Sequence, residues 1–144
     1  GLDFAKKKNI PFFVSNFKNK TLSESRIIKR IKKTKVELIC LAGFMKILTG
    51  KFIKKYNKSI LNIHPSLLPK YKGLNTHQRA INNNEKFTGS TVHLVNSKLD
   101  SGKIILQRKI RIFKNDNPKT LEKKILMLEH KLYPDAILKF FANF

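Results

Sequence analysis

Ser59-Ile60-Leu61-Asn62-Ile63-His64-Pro65-Ser66-Leu67-Leu68-Pro69 decides how this chain is read. Ser59 to Ile63 forms a strand, and residues two apart on a strand share a face, so Asn62 and His64 point the same way. Pro65 has no N–H to give a ladder and closes the strand directly behind His64. An amide and an imidazole are thus aimed together into the space beyond a sheet.

Working outward, Val36 to Gly43 reads as a second buried strand, with Phe44 to Leu48 at its carboxyl end and Thr49 capping a short helix through Tyr56. On the amino side, residues 2–8 read as the end of a helix, Asn9 as its stop, and Pro11-Phe12-Phe13-Val14 as a short strand covered on both faces. Thr21-Leu22-Ser23-Glu24 fits a capping box, and Ile27, Ile28 and Ile31 continue it as a helical apolar stripe. Strand–helix–strand–helix–strand spacing implies parallel pairing with right-handed crossovers, and in such sheets ligands bind beyond the carboxyl ends of the strands. Asn62, His64 and the loop from Met45 to Leu48 fall there.

Further along, Lys70 to Thr76 is a loop, His77 to Asn83 a short helix, and Gly89 to Val95 a strand. Leu99-Asp100-Ser101-Gly102 is a turn in which Gly102 is available for positive φ. Lys103 to Phe113 is a further strand, so residues 89–113 suggest an antiparallel extension. Asn117 caps a last helix with Pro118 at its first position and Leu121, Ile125, Leu128 and Leu132 as its stripe. Pro134 is expected to kink or break it, with Ile137, Phe140 and Phe141 carrying the apolar face onward.

The 144 residues suit one domain, and 41% hydrophobic content supports a sizeable core. No apolar run approaches the length of a membrane span and no secretory leader is visible, so the expected location is the cytoplasm. Cys40, the single cysteine, lies in an apolar run and is expected to be a buried thiol in a reducing compartment. The formal charge of +22 comes from lysines in short groups spread over the chain. No basic stripe with interleaved aromatics stands out, so nucleic acid is the weaker reading and a lysine-rich surface the stronger.

His64, Asn62 and Asp100 together could carry acyl transfer. An imidazole moves protons near neutrality, a carboxylate orients it, and a fixed amide N–H holds a carbonyl oxygen as it becomes an oxyanion. No nucleophile elbow, P-loop or dinucleotide glycine fingerprint is present, and the four histidines lack metal-ligand spacing, so no metal is expected. His77 and His93 read as loop and strand polar groups, and His130, beside Glu129, as either structural or reaching a ligand.

Leu41 to Leu48, Asn62 to Pro69, Gly73-Leu74-Asn75-Thr76-His77, Leu99 to Gly102 and Glu129-His130-Lys131-Leu132-Tyr133-Pro134, in this order and spacing, resemble the folate-dependent phosphoribosylglycinamide formyltransferases of purine synthesis over essentially the full chain. The resemblance implies an α/β, Rossmann-like formyltransferase fold, with a mainly parallel sheet flanked by helices, and a single formyltransferase domain over residues 1–144. It implies transfer of a formyl group from 10-formyltetrahydrofolate to the amine of glycinamide ribonucleotide. Asn62 would bind the formyl oxygen, His64 would donate the proton and Asp100 would support His64. The formyl donor's pocket would comprise Met45, Lys46, Ile47, Leu48, Asn62, Asn96, Ser97, Lys98, Leu99 and Asp100, with the pterin against Leu41 and Val95. Lys20 falls where an arginine near the folate often stands, Glu129 matches a carboxylate that contacts glycinamide ribonucleotide, and His93 matches a histidine near the site. The partners implied are these two small molecules, with no membrane; a homodimer is left open.

The chain departs from the family in Asn75, where many members have histidine, and in Leu94 and Ser97. The family's opening strand, glycine- and serine-containing phosphate loop and helix, a unit of at least roughly 30 residues, has no counterpart here. The expectation is therefore a chain without its first strands and phosphate anchor, with apolar sheet edges left open. The rival readings are a formyltetrahydrofolate hydrolase or another folate-dependent formyltransferase, such as one acting on methionyl-tRNA, and an inactive basic fragment that binds nucleic acid.

Overall fold

The computed structural model describes residues 1–142, which form two compact units, Gly1–Val36 and Glu37 onward. The first unit is helical: α1 (Leu2–Lys7) and α2 (Lys20–Lys33). Asn9, with φ 52°, ends α1 as expected. α2 is capped by Asn19, whose side chain accepts from Leu22 N at 3.0 Å, so Thr21 lies inside the helix and the expected capping box does not form. Asn is as good a cap as Thr and stands earlier in the chain, where it meets the free N–H groups first. Residues 11–14 join no strand: a strand exists through its hydrogen-bonded neighbour, and none among the described residues pairs with this run.

The second unit holds a four-stranded sheet in the order β1 (Leu38–Leu41), β2 (Ser59–His64), β3 (Phe87–Leu94), β4 (Ile104–Arg111). β1 and β2 are parallel, joined through α3 (Gly50–Tyr56), whose N-cap Thr49 accepts from Phe52 N at 3.0 Å. β3 runs antiparallel to β2 after α4 (Thr76–Asn82), and β4 antiparallel to β3, so the sheet of the described residues is mixed, with one parallel pair, where the expectation is a mainly parallel sheet; the antiparallel extension falls at the expected residues. α5 (Pro118–Ala142) packs on β3 and β4. Asn117 caps it by accepting from Lys119 N and Thr120 N, each at 3.0 Å.

The pairings Asn62↔His93 and His64↔Thr91 put these four residues on one face of the sheet. Leu61, Val92 and Leu94 lie on the other, where Leu61 and Val92 pack with Leu132, Ala136 and Phe140 of α5. One face is therefore apolar and gives α5 its seat, while the other carries the polar groups. Burial of each such leucine stabilises the fold by about 1.5–3 kcal/mol.

Four expectations change. Pro134 does not break α5, which runs unbroken from Pro118 to Ala142. One lost backbone bond is offset because Leu132, Ala136 and Phe140 on either side are all buried against the sheet. Cys40 is exposed, and the β1 run is only partly buried, because β1 is an edge strand and α5 covers mainly β3 and β4. Gly102 does not supply the positive φ of its turn; Asp100 does, at 43°. Glycine is needed at 102 for space, since a Cβ there would run into the Leu94 carbonyl.

Gly89 is bound by the same constraint: a Cβ would meet the Arg108 carbonyl of β4 and the Leu67 side chain. Gly89→Ala is expected to force β3 from β4 and lower stability by about 1–3 kcal/mol, read as a lower urea midpoint with an unchanged slope.

Candidate active site

β2 ends at His64, and the run Asn62-Ile63-His64 projects both polar side chains onto the face opposite α5. Asp100 arrives from the turn after β3. Its left-handed backbone, uncommon outside glycine but tolerated by Asp, turns the carboxylate back over the sheet. There Oδ2 accepts from Gly73 N at 2.9 Å and lies 3.4 Å from His64 Nδ1, while Oδ1 lies 3.6 Å from His93 Nε2. The residues expected to act together, Asn62, His64 and Asp100, converge in one place, and His93 joins them.

Hydrogen bonding assigns the ring nitrogens. His64 Nε2 is 2.9 Å from the Tyr71 carbonyl. That carbonyl can only accept, so Nε2 carries a proton and Nδ1 is the nitrogen that faces Asp100. His93 Nδ1 donates to the Leu94 carbonyl at 2.8 Å, which leaves its Nε2 to accept from the Asn62 amide at 3.4 Å. Burial holds the His93 imidazole below its ordinary pKa, with the Leu94 carbonyl and Asp100 pulling the other way. A neutral His93 is the form that can accept from Asn62. This fixes the Asn62 amide with its NH₂ group toward the cluster.

The other strand ends close around this cluster. Val95 N donates to Ile60 O at 2.8 Å, and Asn96 Oδ1 accepts from Lys98 N at 2.9 Å, shaping the loop that delivers Leu99 and Asp100. A Cβ on Gly50 would stand 3.9 Å from Ser97 and one on Gly73 3.6 Å from Leu99, so the start of α3, residues 95–100 and the Gly73 loop are neighbours. In the Met45–Leu48 run Leu48 is buried, while Met45 is 72% and Ile47 57% exposed, leaving an apolar wall open to a ligand. Lys46 is exposed as well. Lys20 is the first residue of α2 and belongs to the first unit; the other expected site residues all belong to the second. A 560 Å³ cavity lined by Leu67, Lys70, Tyr71, Glu85, Phe87 and Lys109 includes none of Asn62, His64 and Asp100. The polar cluster is the stronger candidate because its groups are buried or half-buried and aimed at one another.

Glu129 of α5 stands on the far side of β3, where Ser90 Oγ lies 2.9 Å from its Oε1 and also 2.9 Å from the His64 carbonyl. Burial pushes the Glu129 carboxyl up; the Ser90 hydroxyl, His64 and His130 pull it down. Tyr133, four residues on, donates to the Leu41 and Leu61 carbonyls at 2.9 and 3.1 Å and ties α5 to the ends of β1 and β2. Asn75 takes a left-handed φ of 58° at the start of α4. Asn tolerates that conformation.

Sequence reasoning missed Tyr71 and Ser90. Tyr71 contributes a backbone carbonyl, which every residue has. Ser90 is in sequence one strand residue among several, and only its position opposite α5 gives it a role.

A family model described as formyl transferase matches residues 1–137. The phosphoribosylglycinamide formyltransferase of Haemophilus influenzae is 45% identical over 99% of this chain and 68% of its own length. The bovine trifunctional purine biosynthetic protein adenosine-3 is 41% identical over 95% of this chain, which spans only 14% of it. Among solved structures, the phosphoribosylglycinamide formyltransferase of Anaplasma phagocytophilum superposes with a TM-score of 0.88 at 40% identity, covering 94% of this chain and 66% of that one. The Bacillus halodurans protein of the same name gives 0.90 at 34% identity, with 96% and 73% covered.

Glu129 supplies a test of the site's electrostatics. A carboxyl whose folded pKa is raised destabilises the fold once it ionises. The penalty is absent below its ordinary value of 4.5 and grows as pH rises through the folded value. Glu129→Gln, which keeps an acceptor for Ser90, is expected to raise the urea midpoint at pH 7, with the gain vanishing below about pH 4. An equal gain at both pH values would contradict it.

Proposed function

The chain belongs to the formyl transferase family, and from that premise we propose that it carries the catalytic centre of an enzyme moving a formyl group from 10-formyltetrahydrofolate to the amine of glycinamide ribonucleotide. The observation that carries this reading is the convergence of the Asn62 amide, the His64 imidazole and the Asp100 carboxylate at the ends of β2 and β3.

The acceptor's amine nitrogen attacks the formyl carbon, and the C=O oxygen takes the negative charge of a tetrahedral intermediate. The Asn62 N–H not engaged by His93 holds that oxygen, where a fixed dipole is worth more than mobile water. The bond from carbon to the donor nitrogen then breaks. Overall one proton leaves the attacking amine and one reaches the departing nitrogen. With Nε2 committed to Tyr71, Nδ1 of His64 is the atom through which that proton passes, and Asp100 Oδ2 beside it stabilises the imidazolium formed on the way.

The donor's ring would lie against Leu41 and Val95, between the Met45–Leu48 run and residues 96–100. Lys46, Ser97 and Lys98 would contribute to its polar rim, and the exposed Ile47 and Leu99 would give it apolar contact. Glu129 would meet the acceptor. The donor is a folate and the acceptor a phosphate ester, so part of the +22 charge favours encounter with both.

The experiment is an assay with both substrates that follows formylated amine and free formate separately. His64→Ala is expected to lower kcat by about 10²–10⁴-fold and Asn62→Ala by about 10²–10³-fold. Full activity after His64→Ala overturns the mechanism, and formate as the main product points to hydrolysis instead.

A further inference from the structure

The Tyr71 carbonyl that fixes the His64 tautomer belongs to a residue in an unusual conformation. Tyr71 has a φ of 55°. A bulky residue adopts this left-handed backbone only when its surroundings hold it. Those surroundings lie away from the reacting groups. The Tyr71 hydroxyl donates to Glu85 Oε1 at 2.8 Å and accepts from Asn83 Nδ2 at 2.9 Å. Lys70 Nζ donates to the same Glu85 oxygen at 2.7 Å. The Arg79 guanidinium lies 5.1 Å from the Tyr71 ring centre, and its Nη1 donates to the Lys72 carbonyl at 2.7 Å. The backbone that reaches His64 is thus gripped from its side chain outward.

We propose that Tyr71 and Glu85 are positioning residues: the Glu85 carboxylate anchors the Tyr71 ring, and the Tyr71 carbonyl so placed keeps the proton of His64 on Nε2 and its Nδ1 turned to Asp100. Without that acceptor the Asp100 carboxylate, 3.4 Å from Nδ1, favours the tautomer with its proton on Nδ1, and the ring is free to turn. Glu85 is about a quarter exposed and Lys70 largely exposed, so their ion pair contributes little to stability. Its contribution here is geometric. Sharing one carboxylate oxygen between Lys70 and the Tyr71 hydroxyl sets where the phenol ends, and the ring length then sets where the carbonyl stands.

The test reads the ring nitrogens of His64 directly by ¹⁵N NMR of the 144-residue chain, alongside kinetics. Wild type is expected to show His64 with Nε2 protonated and Nδ1 bare at alkaline pH. Glu85→Ala and Tyr71→Phe are expected to raise the share of the Nδ1–H form, the nitrogen that faces Asp100. Glu85→Gln keeps an oxygen for the Tyr71 hydroxyl and is expected to retain the wild-type tautomer. Tyr71→Phe removes only a hydroxyl, so it guards against a result that merely reports unfolding.

The kinetic arm rests on the formyl-transfer reading: kcat should fall about tenfold or more in Glu85→Ala, with KM for the donor changed by less than about twofold. An unchanged His64 tautomer in both Glu85→Ala and Tyr71→Phe overturns the proposal. A changed tautomer in a wild-type background that transfers no formyl group supports the positioning and counts against the reaction instead.

Discussion

One carboxylate carries the arrangement. Asp100 must accept from Gly73 N, stand beside His64 Nδ1 and face His93 Nε2, and it reaches all three only because its own backbone is left-handed. Those three partners come from different places: a loop before α4, the end of β2 and the end of β3. Ordering Asp100 therefore orders the strand ends relative to one another. The space for it comes from Gly102, whose missing Cβ lets the turn close on the Leu94 carbonyl. This nearly buried carboxylate is held by the Gly73 N–H, and a protonated His64 adds a second donor from Nδ1. The cluster binds the fold together at the same spot where it would bind a reacting carbonyl.

The sheet separates two tasks. On one face Leu61 and Val92 meet α5 and supply the apolar burial; on the other Asn62, His64, Thr91 and His93 supply polarity. The two faces nevertheless communicate through Ser90, whose hydroxyl lies between the Glu129 carboxylate of α5 and the His64 backbone carbonyl. Tyr133 adds a second link from α5 to the ends of β1 and β2. The long helix thus seats the core and also fixes the strand ends from which the site projects.

Much of this was legible in the residues. The period-2 rule placed Asn62 and His64 on one face, and Pro65 marked where the strand stops. Thr49 and Asn117 announced their helices because capping is a local, side-chain-encoded event. The failures share a cause. Pro11–Val14 has the composition of a strand, but strand formation depends on a neighbour that local sequence cannot supply. Cys40 sits in an apolar run, but its exposure depends on how far α5 extends across the sheet. Pro134 looked like a break, and burial of the helix on both sides of it outweighed one missing bond. Of the site, the side-chain members were visible and the backbone member, the Tyr71 carbonyl, was not.

The ladder between β3 and β4 slips by one residue at Val92/His93. Alternation along β3 places Ser90 and Val92 toward α5, and Thr91 and His93 toward the polar face. Removal or insertion of a single residue between Ser90 and His93 would exchange the two sets, sending valine to the polar cluster and histidine into the apolar seat of α5. The irregularity in the pairing shows that β4 absorbs a mismatch in length that β3 does not. A change of one residue is therefore expected to be absorbed more readily in the connections at residues 82–86 and 112–116, which lie outside the strands, than between Gly89 and Asp100.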